Sequence, residues 1–375
     1  MSDFISTKYL LMNNTVRILE FDIESGEILH KYSDILPYGF TSIFDWINLR
    51  LKFSCARDTE KFFKSIGMEN AEDLIESTHC VSLSDTFWIK RKDSRLTWDK
   101  VSPFMNAYSN VVSVYSLEGI ILDSENENYY SPDISTDGSF PHTWKYSGVD
   151  NISFIKAGSK YTLGGINSGK EPYSEYFASQ IAQYLGFNCV KYAIRQHTRY
   201  DGKVDIVTEC KCFTTEQIGS VTAHNLGLHS YEAVLEYCKN LSDKAYHTCL
   251  DMLFLDCLLL NTDRHFANIE FLVNNDTLKV IDIAPIFDNN NALLPRFVEE
   301  YDEFIRTEYI ARDDRPFNAL YKLVKRHKSY HNELIRLRKY RITKPNSKGV
   351  EISESRLIFL NELLQTQINY LLRNE

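Results

Sequence analysis

Apolar and polar positions along the chain fall into two periods. Val16–Phe21 and Glu27–Tyr32 alternate and flank Glu24-Ser25-Gly26, which predicts a β-hairpin. Apolar residues recur at helical spacing near Ser42–Leu51, Thr59–Ile66 and Ala71–Ser77. A further cluster, Phe87-Trp88-Ile89 with Trp98 and Phe104, is expected to pack on these helices. The stretch from Asp123 to Gly138 is polar, holds Tyr129-Tyr130-Ser131-Pro132, and reads as a loop or linker.

Beyond it, Asn151–Ile155 reads as a strand, and Gly158 to Gly169 carries four glycines and reads as a mobile loop. Pro172 to Leu185 is an amphipathic helix with Pro172 in its first turn and Gly186 placed to stop it. Val190–His197 and Val204–Glu209 read as two strands. Helical periodicity then dominates, over Tyr231–Tyr237, Ala245–Leu260, Phe317–Val324, His331–Leu337 and Glu354–Leu372. A short β excursion, Ile269–Val273 and Leu278–Ile283, interrupts it. The expected class is α+β: a bilobal protein-kinase-like fold with a mixed α/β N-lobe, a mostly helical C-lobe and an additional N-terminal α/β subdomain, an analogy of layout alone. The corresponding parts are residues 1–125, of no readable role, 126–213 and 214–375.

Composition narrows the function classes. Hydrophobic residues make up 43% of 375, enough to bury a core. The 42 basic and 51 acidic residues give a net charge of −9, which disfavours direct nucleic-acid contact and a lipid surface. The eight cysteines form no CxxC pair, and Cys210-Lys211-Cys212 has no second pair at zinc spacing, so reduced buried thiols are expected. The start lacks the basic and apolar regions of a signal peptide, and the longest apolar stretch, Met252–Leu260, carries Asp256 and falls short of the roughly 20 residues a bilayer needs. A cytoplasmic location is the expectation, with no membrane partner.

Chemistry concentrates in Asn261-Thr-Asp-Arg-His-Phe-Ala-Asn268, a polar loop between an apolar helix and a strand. Asp288 follows in Ala284-Pro-Ile-Phe-Asp288. Phosphoryl transfer uses a carboxylate to take the proton of the attacking hydroxyl, and a second carboxylate with an amide oxygen to hold Mg²⁺ against the phosphates. Asp263 is the candidate base, and Asn268 and Asp288 are the candidate metal ligands. Each alone also reads as a turn residue; the spacing and the flanking elements favour chemistry. His265 is expected to orient the loop, and Asp256 to brace it by an internal hydrogen bond.

These residues resemble the catalytic and metal-binding motifs of the HipA-like serine/threonine kinases of bacteria, some of which act as toxins restrained by an antitoxin. Upstream, Asp137-Gly138-Ser-Phe-Pro-His-Thr-Trp144, Phe154-Ile-Lys156 and Ser174-Glu175 are similar to that family's ATP loop, strand lysine and helix glutamate. The resemblance implies ATP and Mg²⁺ as cofactors. It implies Lys156 and Glu175 as the pair that positions phosphates, and Gly138 in the ATP loop. Adenine would lie against the connecting segment Glu209–Phe213, with Glu209 and Lys211 in contact through backbone groups. It further implies a Ser or Thr hydroxyl of a protein as substrate, a small antitoxin-like partner, and self-phosphorylation among Ser135, Thr136, Ser139 and Thr143. The chain departs from the family at Asn290, where glycine is frequent, and at His142, where lysine is frequent.

Gly164-Gly-Ile-Asn-Ser-Gly169-Lys170 imitates a phosphate-binding P-loop, but Glu171 stands where Ser or Thr should bind Mg²⁺. Two other classes stay open at this point: a lipid or small-molecule kinase with a phosphatidylinositol-kinase-like catalytic loop, and a non-catalytic nucleotide-binding module.

Overall fold

A computed structural model of the chain describes residues 7–51, 59–68, 70–123, 129–159, 169–296 and 316–374. The glycine-rich segment 160–168 therefore lies outside the described residues. In chain order the elements are β1 (Lys8–Asn13), β2 (Val16–Asp22), β3 (Ile28–Lys31), α1 (Ile43–Arg50), α2 (Thr59–Ser65), α3 (Ala71–Thr78), β4 (Phe87–Arg91), α4 (Trp98–Val101), α5 (Asn110–Glu118), β5 (His142–Tyr146), β6 (Ile152–Ala157), α6 (Glu171–Leu185), β7 (Ala193–Thr198), β8 (Val204–Lys211), β9 (Ile218–Thr222), α7 (Tyr231–Leu241), α8 (Asp243–Leu259), β10 (Glu270–Asn274) and β11 (Val280–Ile283). Three further helices, Pro316–Lys325, His331–Leu337 and Glu354–Arg373, complete the chain. They divide between two compact units: Met1–Lys156 with Lys211–Gly227 and Glu270–Ile281, and Ala157–Cys210 with Leu228–Ile269 and Asp282–Glu375.

The first unit is built on an antiparallel sheet in the order β3-β2-β1-β4. Its β2–β3 turn falls where the alternation placed it, at Glu24–Gly26. Asp22 Oδ1 accepts from the backbone N–H of Glu24 and Ser25 at 3.1 and 2.9 Å, and Gly26 takes φ 71°. The sheet is covered on both faces. Tyr9, Leu11, Leu19 and Phe21 pack with Ile43, Trp46 and Ile75 of the helices on one side. Leu10, Met12 and Trp88 pack with Trp98, Val101 and Tyr130 on the other. A strand buried on both faces reads as a continuous apolar run without alternation, so the sequence does not announce β1.

Two expectations are corrected here. The stretch read as a linker contains a 3₁₀ turn, Pro132–Ser135, and Asp133 in it is fully buried. Its carboxylate accepts from Trp144 N–H (2.8 Å), Thr143 Oγ1 (2.8 Å) and Ser131 Oγ (3.0 Å). Burial pushes the Asp133 carboxyl up to about 6 against these donors. The second is β5, a strand paired with β6 whose first residues, His142–Trp144, lie in the stretch likened to an ATP loop. In the same unit β9 pairs with β10, and Ser220 N–H donates to Ser84 O at 2.7 Å. Gly219 is required there, because a Cβ would run into Ser84 O and Asn275 Oδ1.

The second unit is mostly helical. Gly186 ends α6 in the left-handed conformation at φ 81°, as its position predicted. Strands β7 and β8 pair antiparallel, with Ala193 opposite Glu209. At the centre lies α8, capped by Ser242 and buried nearly all round from Met252 to Leu259. The last helix is tied to it by Gln367 Nε2, which donates to Cys257 O at 2.9 Å. Phe254 stacks on Tyr330 with ring centroids 3.9 Å apart. Among the described residues the cysteines are unbridged and no helix is long and apolar enough to cross a membrane.

Candidate active site

The site begins with a charge the core cannot leave alone. Asp256 sits in the apolar end of α8 at 1% exposure, and a buried carboxylate needs a partner. Leu260 turns the chain left-handed at φ 56°, which delivers Asn261 and Arg264 back onto it. Asn261 Nδ2 donates to Asp256 Oδ1 at 2.8 Å, and Arg264 Nε and Nη2 donate to its two oxygens at 3.0 and 3.1 Å. Burial pushes the Asp256 carboxyl up, and Arg264 opposes the shift. The same burial works against Arg264, but Asp256, with Asp288 and Glu175 nearby, holds the guanidinium above its ordinary value. The bracing role expected of Asp256 is thus filled.

Arg264 also gathers the surrounding loops. Its Nη1 donates to Asn268 O (3.1 Å) and Phe287 O (2.7 Å), and its Nη2 to Asn289 Oδ1 (2.8 Å). Tyr231 Oη donates to Arg264 O at 2.7 Å, which fixes the backbone beneath it. One buried cation therefore holds the end of α8, the loop of residues 261–268 and the segment of residues 287–289 together.

On this frame four of the sequence candidates come together in the second unit. Asn268 Nδ2 donates to Asp263 O at 3.1 Å, closing the loop on itself. Asp263 Oδ2 accepts from Asn291 Nδ2 at 2.9 Å. Asp288 takes φ 53°, an uncommon conformation for a residue with a Cβ, and its Oδ1 accepts from Asn290 Nδ2 at 3.0 Å. Its N–H donates to Tyr192 Oη at 3.4 Å, and burial, with Glu175 among the nearby charges, pushes the Tyr192 phenol well up. Glu175 on α6 is buried and its Oε2 accepts from Asn289 N–H at 3.1 Å.

Three consecutive asparagines thus serve four partners. Asn289 meets Arg264 and Glu175, Asn290 meets Asp288, and Asn291 meets Asp263. The left-handed step of this turn falls on Asp288 and not on Asn290. His265, expected to orient the loop, is exposed, and its main chain makes the loop bonds: N–H to Asp263 O, and C=O from Asn268 N–H.

The remaining candidates are placed as follows. Lys156, at the end of the first unit's main segment, pairs in register with His142, and its Nζ lies 5.6 Å from the Phe140 ring centroid. His142 is a core residue: it is 1% exposed, and its Nδ1 lies 2.8 Å from Phe140 O. Gly138 faces that imidazole, and a Cβ there would stand 3.0 Å from His142 Cε1. In the second unit Glu209 Oε2 accepts from Arg195 Nε at 2.7 Å. Lys211 is exposed.

Sequence reasoning passed over Arg264, Asn289 and Asn291. The signal for Arg264 was Asp256 itself, since a carboxylate in an apolar helix calls for a cation. The asparagines read only as a turn.

No protein-family model and no curated protein matches the chain. Among solved structures, it is similar over 97% of both chains to HipA in the Shewanella oneidensis complex of HipA, HipB and operator DNA, with 13% identity and a TM-score of 0.53. The proinflammatory kinase CtkA of Helicobacter pylori aligns over 64% of this chain and 92% of its own, with 18% identity and a TM-score of 0.44. Hydra Fam20, solved with sugar, aligns over 64% and 84%, with 14% identity and a TM-score of 0.30. The fold is mixed α/β with several sheets and helices, and the likeness to HipA is one of fold.

Proposed function

We infer that the chain is an ATP- and Mg²⁺-dependent phosphotransferase of the HipA-like kind, acting on a Ser or Thr hydroxyl of a bacterial protein. One observation carries the reading: Asp263, Asn268 and Asp288, at kinase spacing, are assembled in one unit around the buried Arg264, with Asp288 held left-handed. A carboxylate and an amide oxygen are hard donors, and two suffice for an ion whose other ligands are phosphate and water. The amide nitrogen of Asn268 is committed to Asp263 O, which leaves its oxygen as the ligating atom.

ATP with Mg²⁺ would supply the phosphoryl group and neutralise its charge. Asp263 takes the substrate proton, while Asn291 holds its carboxylate in one orientation. Asn268 and Asp288 are the metal ligands, and Lys156 and Glu175 keep the nucleotide-positioning roles expected of them. Residues 126–213 are assigned to the nucleotide lobe, 214–375 to the catalytic lobe and 1–125 to an additional subdomain. The carboxylate of Glu209 is engaged by Arg195, so adenine recognition along Glu209–Lys211 falls to the main chain. A small protein partner and a cytoplasmic location belong to the same reading. For self-modification Ser139 is the favoured hydroxyl, because it is exposed, whereas Ser135 donates to Val81 O, Thr136 to Pro132 O and Thr143 to Asp133.

The test is incubation of the purified chain with γ-labelled ATP, Mg²⁺ and a bacterial lysate. Label is expected on Ser or Thr of protein and is lost in Asp263→Ala and Asp288→Ala. Label confined to lipid or metabolites overturns the protein substrate. Neither nucleotide binding nor label anywhere overturns the phosphotransferase.

A further inference from the structure

Between residues 322 and 348 an otherwise acidic chain holds ten lysines and arginines and a single acidic residue, Glu333. The structure orders this run along one helix. Glu354–Arg373 has 20 residues, so it is about 30 Å long. Asn361, Gln365 and Asn369 recur at four-residue spacing and so share one face of it. Each of them holds the basic segment. Asn361 exchanges hydrogen bonds of 2.9 Å with the N–H and C=O of Ile342. Gln365 Nε2 donates to Tyr340 O at 3.5 Å, and Asn369 Oδ1 accepts from Arg338 Nη2 at 3.4 Å. At the two ends Lys344 meets Glu354, and Lys325 Nζ donates to Asn374 O. The side chains of Arg326, Arg338, Lys339, Arg341 and Lys344 are exposed. The charge is therefore a band fixed over the helix length.

Apolar side chains interrupt the band. Ile335 is 42% exposed, and Ile358, three residues before Asn361 on the same helix, is 53% exposed. A phosphate backbone has no use for them, while a peptide with acidic and apolar side chains matches both features. The acidic remainder of the chain opposes any polyanion longer than the band. We propose that this face is a docking site for an extended acidic segment of a partner protein. At about 3.3 Å per residue, roughly nine residues cover it. The assignment goes beyond phosphoryl transfer and does not depend on it.

The experiment is fluorescence anisotropy on the full chain with a labelled Glu-Glu-Leu repeat peptide of about nine residues. A random-sequence DNA duplex of the same length is the second probe. Saturable peptide binding is expected, weakened about tenfold or more by Arg338→Glu with Arg341→Glu and several-fold by Ile358→Ser. The melting temperature of these variants falls little, because every replaced side chain is exposed and the bonds lost are solvent-facing ones, from Arg338 to Asn369 Oδ1 and from Arg341 to Arg338 O and Tyr340 O. Lys239→Glu, on the exposed face of α7, leaves binding unchanged. The proposal is overturned if the peptide does not saturate, if Lys239→Glu weakens it equally, or if the duplex binds more tightly and is indifferent to Ile358→Ser.

Discussion

Replacing Arg264 by methionine tests the frame of the site. Methionine fills much of the same volume but cannot donate. It leaves Asp256 at 1% exposure without its cation, and Asn268 O, Phe287 O and Asn289 Oδ1 without their donor. Removing one partner of a buried ion pair costs about 3–5 kcal/mol. The abandoned acceptors add to this where water cannot reach them. At about 2–4 °C per kcal/mol for a unit of this size, the melting temperature should fall by roughly 10 °C or more. Much of that loss is the stranded carboxylate, so Asp256→Asn in the Arg264→Met background should recover about 2 kcal/mol. The sign with pH follows. An unpartnered buried Asp256 has its folded pKa raised above the unfolded value. The stability it confers is present at acid pH and lost as pH rises through the folded pKa, so the gap between Arg264→Met and wild type narrows as pH falls. The assay is thermal and urea unfolding of wild type, both single variants and the double at pH 5 and pH 7.5. Simple additivity of the two substitutions, or a loss below about 1 kcal/mol for Arg264→Met, refutes the reasoning.

Three other outcomes are expected. Asp133 gives stability that is full below about pH 4 and lost as pH rises through about 6, so Asp133→Asn should flatten the stability profile over that interval by on the order of 3 kcal/mol, read by urea unfolding at several pH values. Asn291→Ala removes the amide on Asp263 Oδ2; kcat should fall about tenfold or more with the KM for ATP and the melting temperature little changed, checked by steady-state kinetics beside a melt. Gly219→Ala drives a methyl group into Ser84 O and should cost about 1–3 kcal/mol, visible as a lower denaturation midpoint.

The elements that announce themselves are those with one wet face or a clear stop. The β2–β3 hairpin is marked by its Glu24–Gly26 turn, and α6 has Pro172 and Gly186 at its ends, so both fall where the sequence places them. Three of the elements that the sequence did not announce were hidden for separate reasons. β1 is covered on both faces and loses its period. β5 lies in a stretch whose residues resembled a nucleotide loop. The 3₁₀ turn around Asp133 hides in polar sequence because hydroxyls, not apolar side chains, surround its carboxylate. In the site, the loop residues were legible from their spacing. The partners that hold them were not, because Arg264 to Asn289 and Asn291 to Asp263 are contacts across more than twenty positions.

Arg264 grips two of its four partner residues, Asn268 and Phe287, by their carbonyl oxygens. A carbonyl is offered by every amino acid, so this bond places no demand on the side chain at position 287. Drift there is invisible to the guanidinium, and an architecture clamped in this way can diverge widely in its letters while its loops stay where they are. What it fixes is a short, gapped signature: Asp256, then Asn261-x-Asp263-Arg264 and Asn268, then Asp288-Asn289-x-Asn291. Searching for chains that carry this arrangement is a matter of matching those few positions and the helix before them, rather than the sequence in between.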